Sequence, residues 1–161
     1  MGHIELRAVD DDDLDAVFEM TCEPAAIALV AFIDRDAADR AAFDEWIVRT
    51  RAMPDASLYV VTDRGGFAGM ITAVTAGGDR EVTCWLARHA WGRGVATQAL
   101  RLLVSREATR PLVARVAAHN AAAIAALQRN GFTEASHALV PAQGLGRDVE
   151  QIVYTLLPAL E

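Results

Sequence analysis

Hydrophobic positions along this chain change period several times, and each change marks an element. His3 to Val9 alternates apolar and polar residues as a half-buried strand does. The run Asp10 to Asp13 then supplies N-caps and first-turn carboxylates to a helix ending near Met20. Asp36 and Asp39 open a second helix, in which Phe43, Trp46 and Ile47 share one face as core residues. From Ser57 the period becomes two: Leu58 to Thr62, a turn at Asp63-Arg64-Gly65-Gly66, Phe67 to Thr75, a turn at Gly77-Gly78-Asp79, then Arg80 to Leu86. Connections this short imply an antiparallel meander.

A glycine-bearing turn, Trp91-Gly92-Arg93-Gly94, leads into a helix whose apolar face carries Ala96, Ala99, Leu100 and Leu103. Leu112 to Ala117 is a strand reached by that helical crossover, so it runs parallel to Arg80 to Leu86. A short helix follows, opened by Asn120 and closed by Asn130-Gly131. Thr133 to Leu139 and Val149 to Leu157 read as a last hairpin, joined by a loop over Val140 to Asp148.

The strand-to-helix turn is where chemistry enters. The first N–H groups of a helix lack intrahelical partners and converge at its positive end, which makes an anion site. Gly92 and Gly94 carry no side chain to hold a phosphate off that backbone. A pyrophosphate is the expected ligand. Its donors are the backbone groups of Arg93, Gly94, Val95, Ala96 and Thr97, joined by the Thr97 hydroxyl and by the side chain of Arg93 or Arg88. Where two parallel neighbours splay apart, unpaired backbone groups can also take an extended ligand, and those near Cys84, Trp85 and Leu86 are placed to do so.

The strand ending in Trp85-Leu86, the following Trp91-Gly92-Arg93-Gly94-Val95-Ala96-Thr97, and Asn120 to Phe132 about thirty residues on together resemble the GNAT superfamily of N-acetyltransferases. The likeness is to the branch of ribosomal-protein alanine acetyltransferases, close over residues 79 to 132 and in element order elsewhere. It implies an α/β (α+β) fold: a mixed, mostly antiparallel six- to seven-stranded sheet with one parallel splay, flanked by about four helices. It also implies an enzyme using acetyl-CoA as cosubstrate, with the pantetheine arm in the splay and Asn120 hydrogen-bonded to it. The acceptor would be a primary amine, on a small molecule or a peptide N terminus. A catalytically weak acyl-CoA-binding domain is the alternative.

Glu81 is the preferred base, since it shares a face with Thr83 and Trp85 along the line of acceptor approach; a cross-strand ion pair with Arg80 or Arg115 is its competing role. A carboxylate near pKa 4 matches an ammonium poorly, so relay through water is favoured over direct abstraction. His119 is a second acid–base candidate through its near-neutral pKa. The usual proton donors of the resembled family are missing, because Leu127 stands where many members place Tyr and Ala123 where Ser is expected.

Composition narrows the partners. A chain of 161 residues with 53% hydrophobic and 23% charged residues reads as one soluble domain. All its basic residues are Arg, and a net charge of -7 speaks against a nucleic acid as main partner. Cys22 and Cys84 lack metal-ligand spacing, and no metal is expected. The start Met1-Gly2-His3-Ile4-Glu5 lacks signal-peptide features, which favours a cytoplasmic location, and the apolar run Ala25 to Ile33 is too short to span a bilayer. That run offers a surface for a homodimer, and with the rest of Thr21 to Arg35 and the 140–148 loop it is expected to set the acceptor.

Overall fold

The computed structural model describes residues 3–33 and 36–160; Met1, Gly2, Asp34, Arg35 and Glu161, and the readings that fall on them, lie outside the described residues. One seven-stranded sheet organises the chain. Its strands are β1 (Ile4–Ala8), β2 (Ser57–Asp63), β3 (Gly66–Ala76), β4 (Asp79–Leu86), β5 (Leu112–Ala117), β6 (Thr133–Ala142) and β7 (Arg147–Leu156). They lie in the order β1-β2-β3-β4-β5-β7-β6. Every neighbouring pair is antiparallel except β4 and β5.

Among the described residues five α-helices flank the sheet: α1 (Leu14–Cys22), α2 (Pro24–Val30), α3 (Arg40–Arg51), α4 (Val95–Arg106) and α5 (Ala121–Arg129). The expected count of about four omitted α2, because its apolar run shows no polar face in the sequence. Local chemistry nonetheless starts it: Pro24 occupies the first turn and the Glu23 carboxylate accepts from the Ala25 N–H at 3.2 Å. The carboxylate run caps the 3-10 turn Asp11–Asp13 that leads into α1, and α1 itself starts without a side-chain cap. Asp10 Oδ1 accepts from Asp12 N and the Asp10 N–H donates to Asp13 Oδ2, both at 2.9 Å.

The two sheet faces carry separate cores. On one, Val82, Leu112 and Ala114 pack under Val95, Ala99, Leu100 and Leu103 of α4 and Leu127 of α5. On the other, Val60, Met70 and Trp85 pack against Val17, Met20, Ala26, Phe43 and Ile47 from the first three helices. A third, small cluster joins the end of α2 to the last hairpin through Ala31, Ala117, Ala142 and Val149.

That hairpin is tighter than expected. Strand pairing continues through Val140↔Val149 to Ala142↔Arg147, so the supposed 140–148 loop is a turn over residues 143–146. Alternation was hidden there by Pro141, whose neighbours still pair at this edge strand. Gly144 fits against the end of α2, donating its N–H to the Ala31 carbonyl at 3.0 Å; a Cβ on it would stand 2.9 Å from Ile27 Cγ2.

Candidate active site

The site is built where β4 and β5 part. They pair only at Arg80↔Leu112 and Glu81↔Val113, after which β4 stays with β3 and β5 with β7. The backbone edges that face each other beyond that point have no strand partner in the gap. A cavity of about 580 Å³ occupies it.

Gly94 caps α4 without a side chain, and the first helical bond runs from the Gln98 N–H to the Gly94 carbonyl at 3.2 Å. The N–H groups of Val95, Ala96 and Thr97 are therefore left over at the positive end of a helix, and all three residues line the cavity. Gly92 and Gly94 both have φ +73°, a left-handed conformation that disfavours other residues. Nothing lies within 4 Å of where their Cβ atoms would be. A phosphate can reach this backbone directly.

Of the expected binding residues, Cys84, Trp85, Leu86, Gly94, Val95, Ala96, Thr97 and Asn120 line the cavity. Asn120 accepts from the Ala123 N–H at 3.2 Å and so caps α5, leaving its Nδ2 as the group to offer a ligand. The Leu86 carbonyl is taken: the Trp91 indole donates to it at 3.0 Å. Burial pushes the Cys84 thiol up to about 12, so it is a neutral wall residue.

The two arginines expected near the phosphates are committed elsewhere. Arg93 pairs with Asp63 at the end of β2, 3.0 Å away, and lines a separate cleft with His89 and Gln98. Arg88 pairs with Glu23 at 3.3 Å, with its guanidinium 6.0 Å over the Trp91 ring. Sequence spacing could not show this, because both partners come from distant elements.

Glu81 meets Arg115 across the parallel pair at 2.6 Å, and the same guanidinium holds Asp79 at 2.8 Å. These hydrogen bonds, first the one to Asp79, hold Arg115 above its ordinary pKa. Arg115 reaches the cavity wall and Glu81 stands behind it. His119 is not brought to that wall; its Nε2 lies 2.8 Å from the Ala28 carbonyl and ties the β5–α5 connection to α2. Leu127 and Ala123 line the cavity where a proton donor was missing from the sequence, and the structure adds none at those positions.

The wall also includes residues that the sequence pointed to only as part of the Thr21 to Arg35 segment, or not as cavity residues at all. Ala26, Leu29 and Val30 of α2, Arg115 of β5 and Arg129 of α5 all line the cavity. Asn130, read as a helix end, donates Nδ2 to the carbonyls of Thr97 at 3.1 Å and Ala126 at 2.9 Å, which fixes α5 to the first turn of α4.

Residues 3–133 match the family model described as Acetyltransferase (GNAT) domain. The chain belongs to the GNAT acetyltransferase family. Solved structures share the fold over nearly the whole of this GNAT chain. Spermidine N-acetyltransferase from Vibrio cholerae, in complex with CoA and spermine, has TM-score 0.81 and 17% identity, covering 96% of this chain and 95% of that one. RimL, a ribosomal-protein alpha-N-acetyltransferase in complex with coenzyme A, has TM-score 0.79 and 18% identity, with 96% and 93% covered. The microcin C7 self-immunity acetyltransferase MccE, in complex with acetyl-CoA and AMP, has TM-score 0.77 and 17% identity, with 96% and 92% covered. Comparison with curated proteins gives no match. Among the described residues no helix is long and apolar enough to cross a membrane, and no cluster of His, Cys, Asp or Glu could hold a metal ion.

Proposed function

We propose that this chain, acting as a single GNAT domain, binds acetyl-CoA in the gap between β4 and β5 and transfers the acetyl group to a primary amine. One observation carries the reading: an uncapped helix N terminus, fronted by two left-handed glycines, opens onto a cavity that continues between two parting strands. Main-chain N–H groups of residues 95–97 suit a diphosphate, and the open strand edges suit an extended amide-bearing arm. A bound acetyl-CoA would supply an activated acyl carbon. The chain's own part is positioning, exclusion of water and handling of one proton.

Glu81 is assigned the proton, taken through water. Its carboxylate is hydrogen-bonded to Arg115 at 2.6 Å and does not line the cavity, so a water has to carry the proton to it. Thr83, exposed on the same strand face and lining the cavity, is placed to hold such a water. Asn120 offers Nδ2 to the ligand's arm. His119 is assigned the holding of α2 rather than proton transfer, because its ring already has a partner outside the cavity.

A second reading has support of its own. Leu127 and Ala123 put hydrocarbon where a donor to the leaving sulfur would stand, as expected of a domain that binds acyl-CoA with weak turnover. A thiol near pKa 8.5 is a tolerable leaving group without a donor, so transfer remains the first choice. Titration with CoA beside thiol release from acetyl-CoA over an amine panel separates the two. Binding with turnover supports transfer, binding without turnover supports the alternative, and no binding removes both. In the first case Glu81→Gln should lower turnover and leave CoA affinity unchanged.

A further inference from the structure

The cavity is lined from both faces of the sheet, and the side opposite α4 has a chemistry that narrows the acceptor. Resting on the acetyl-transfer reading above, we propose that the acceptor is a monoamine whose nitrogen sits beside an apolar group, a peptide N terminus with an apolar first residue or its small-molecule equivalent, and that polyamines are poor acceptors.

Ala26, Leu29 and Val30 from α2, with Trp85, form an apolar wall on this side. Thr83 and Arg115 are the polar residues that accompany it. Among the described residues lining the cavity there is no carboxylate, and the charged ones are Arg115 and Arg129. The carboxylates nearby are engaged in ion pairs: Asp79 and Glu81 share Arg115, and Glu23, at the start of α2, pairs with Arg88.

A polyamine entering with one nitrogen deprotonated for attack brings at least one further ammonium, which keeps its proton at neutral pH because its pKa is near 10. On this side that charge would be desolvated against hydrocarbon, with the Arg115 guanidinium as the charged lining group. A monoamine loses its single charge before reacting, and an apolar substituent beside it replaces water along the α2 wall. Each well-placed methylene changes discrimination by about tenfold or more in such a pocket.

The test is thiol release from acetyl-CoA with leucinamide, alaninamide, a tetrapeptide beginning with leucine, and spermidine, run beside a CoA titration. Leucinamide should exceed alaninamide by at least about tenfold in kcat/KM and exceed spermidine by more. A tetrapeptide faster than leucinamide would assign the acceptor to peptides, and the reverse order to small amines; either order supports the proposal. Leu29→Asp should bind CoA as before, lose about tenfold with leucinamide and gain with spermidine. If CoA binds and no amine is turned over, equilibrium binding of leucinamide and spermidine to the CoA-loaded protein decides in the same way. Spermidine equal to or better than leucinamide, with CoA bound, would overturn this proposal alone. Failure to bind CoA would overturn the acetyl-transfer reading, and the acceptor assignment with it.

Discussion

Gly94 allows backbone geometry and charge at the helix end to be separated by one pair of substitutions. Its φ of +73° costs a side-chain-bearing residue about 1 to 2 kcal/mol, less for Asn and Asp, which visit this region more readily. The Cβ itself meets nothing within 4 Å, so no packing term is added. Gly94→Asn and Gly94→Asp should therefore both fold, with melting temperatures lower by about 2 to 4 °C. Without ligand the aspartate should be the more stable of the two, by up to about 1 kcal/mol, because its charge faces the positive end of α4. Toward CoA the order reverses. A carboxylate about 5 Å from a phosphate charge costs about 3 kcal/mol at an effective dielectric of 20, and exposure and salt reduce this to about 2 kcal/mol. The CoA dissociation constant of the Asp variant should then be about 30-fold above that of the Asn variant at low ionic strength, with the gap closing as salt rises. Calorimetric titration of both variants beside thermal melts measures this. Equal affinities in two folded variants would refute the assignment of the phosphate site to this helix end.

The Arg93 guanidinium is held by Asp63, so Arg93→Ala should change CoA affinity less than threefold while destabilising the fold by about 1 to 2 kcal/mol, read by urea unfolding; a tenfold loss of affinity would place the side chain on the ligand. Asp13 is held below the usual carboxylate range, first by its hydrogen bond from Arg7. A carboxylate depressed in the folded state contributes stability that is complete above its unfolded value near 3.9 and disappears as pH falls through the lower folded value. Melting temperature should accordingly drop below pH 4 more steeply in the parent than in Asp13→Asn, and parallel acid slopes would contradict the pairing. At pH 8 a thiol raised to about 12 holds little thiolate, so Cys84 should react with iodoacetamide at least 100-fold more slowly than free cysteine, as quantitative mass spectrometry of the labelled peptide would show.

Much of the fold was legible because its signals are local. Period-two runs, paired glycines at turns, Asp39 and Asn120 as caps and the Gly92–Gly94 entry to α4 each act within a few residues, and the backbone obeyed them. The parallel placement of β5 followed from the handedness of a single crossover. α2 was the exception, since a helix apolar on every side has no periodicity to read. The last hairpin was shortened in the reading because Pro141 interrupts the pattern without interrupting the pairing.

Local pattern alone placed a helix N terminus directly after a strand, and put hydrocarbon at Leu127 and Ala123. Which charges are free there was decided by tertiary folding, which brought Asp63 to Arg93, Glu23 to Arg88 and Arg115 to Glu81 from 30 or more residues away. The apolar α2 wall of the cavity was decided in the same way, when Gly144 of the last turn seated the end of α2 and so set Ala26, Leu29 and Val30 beside β4. Caps and turns draw on neighbours in the chain, whereas ion pairs and cavity walls draw on neighbours in space, and folding alone selects those.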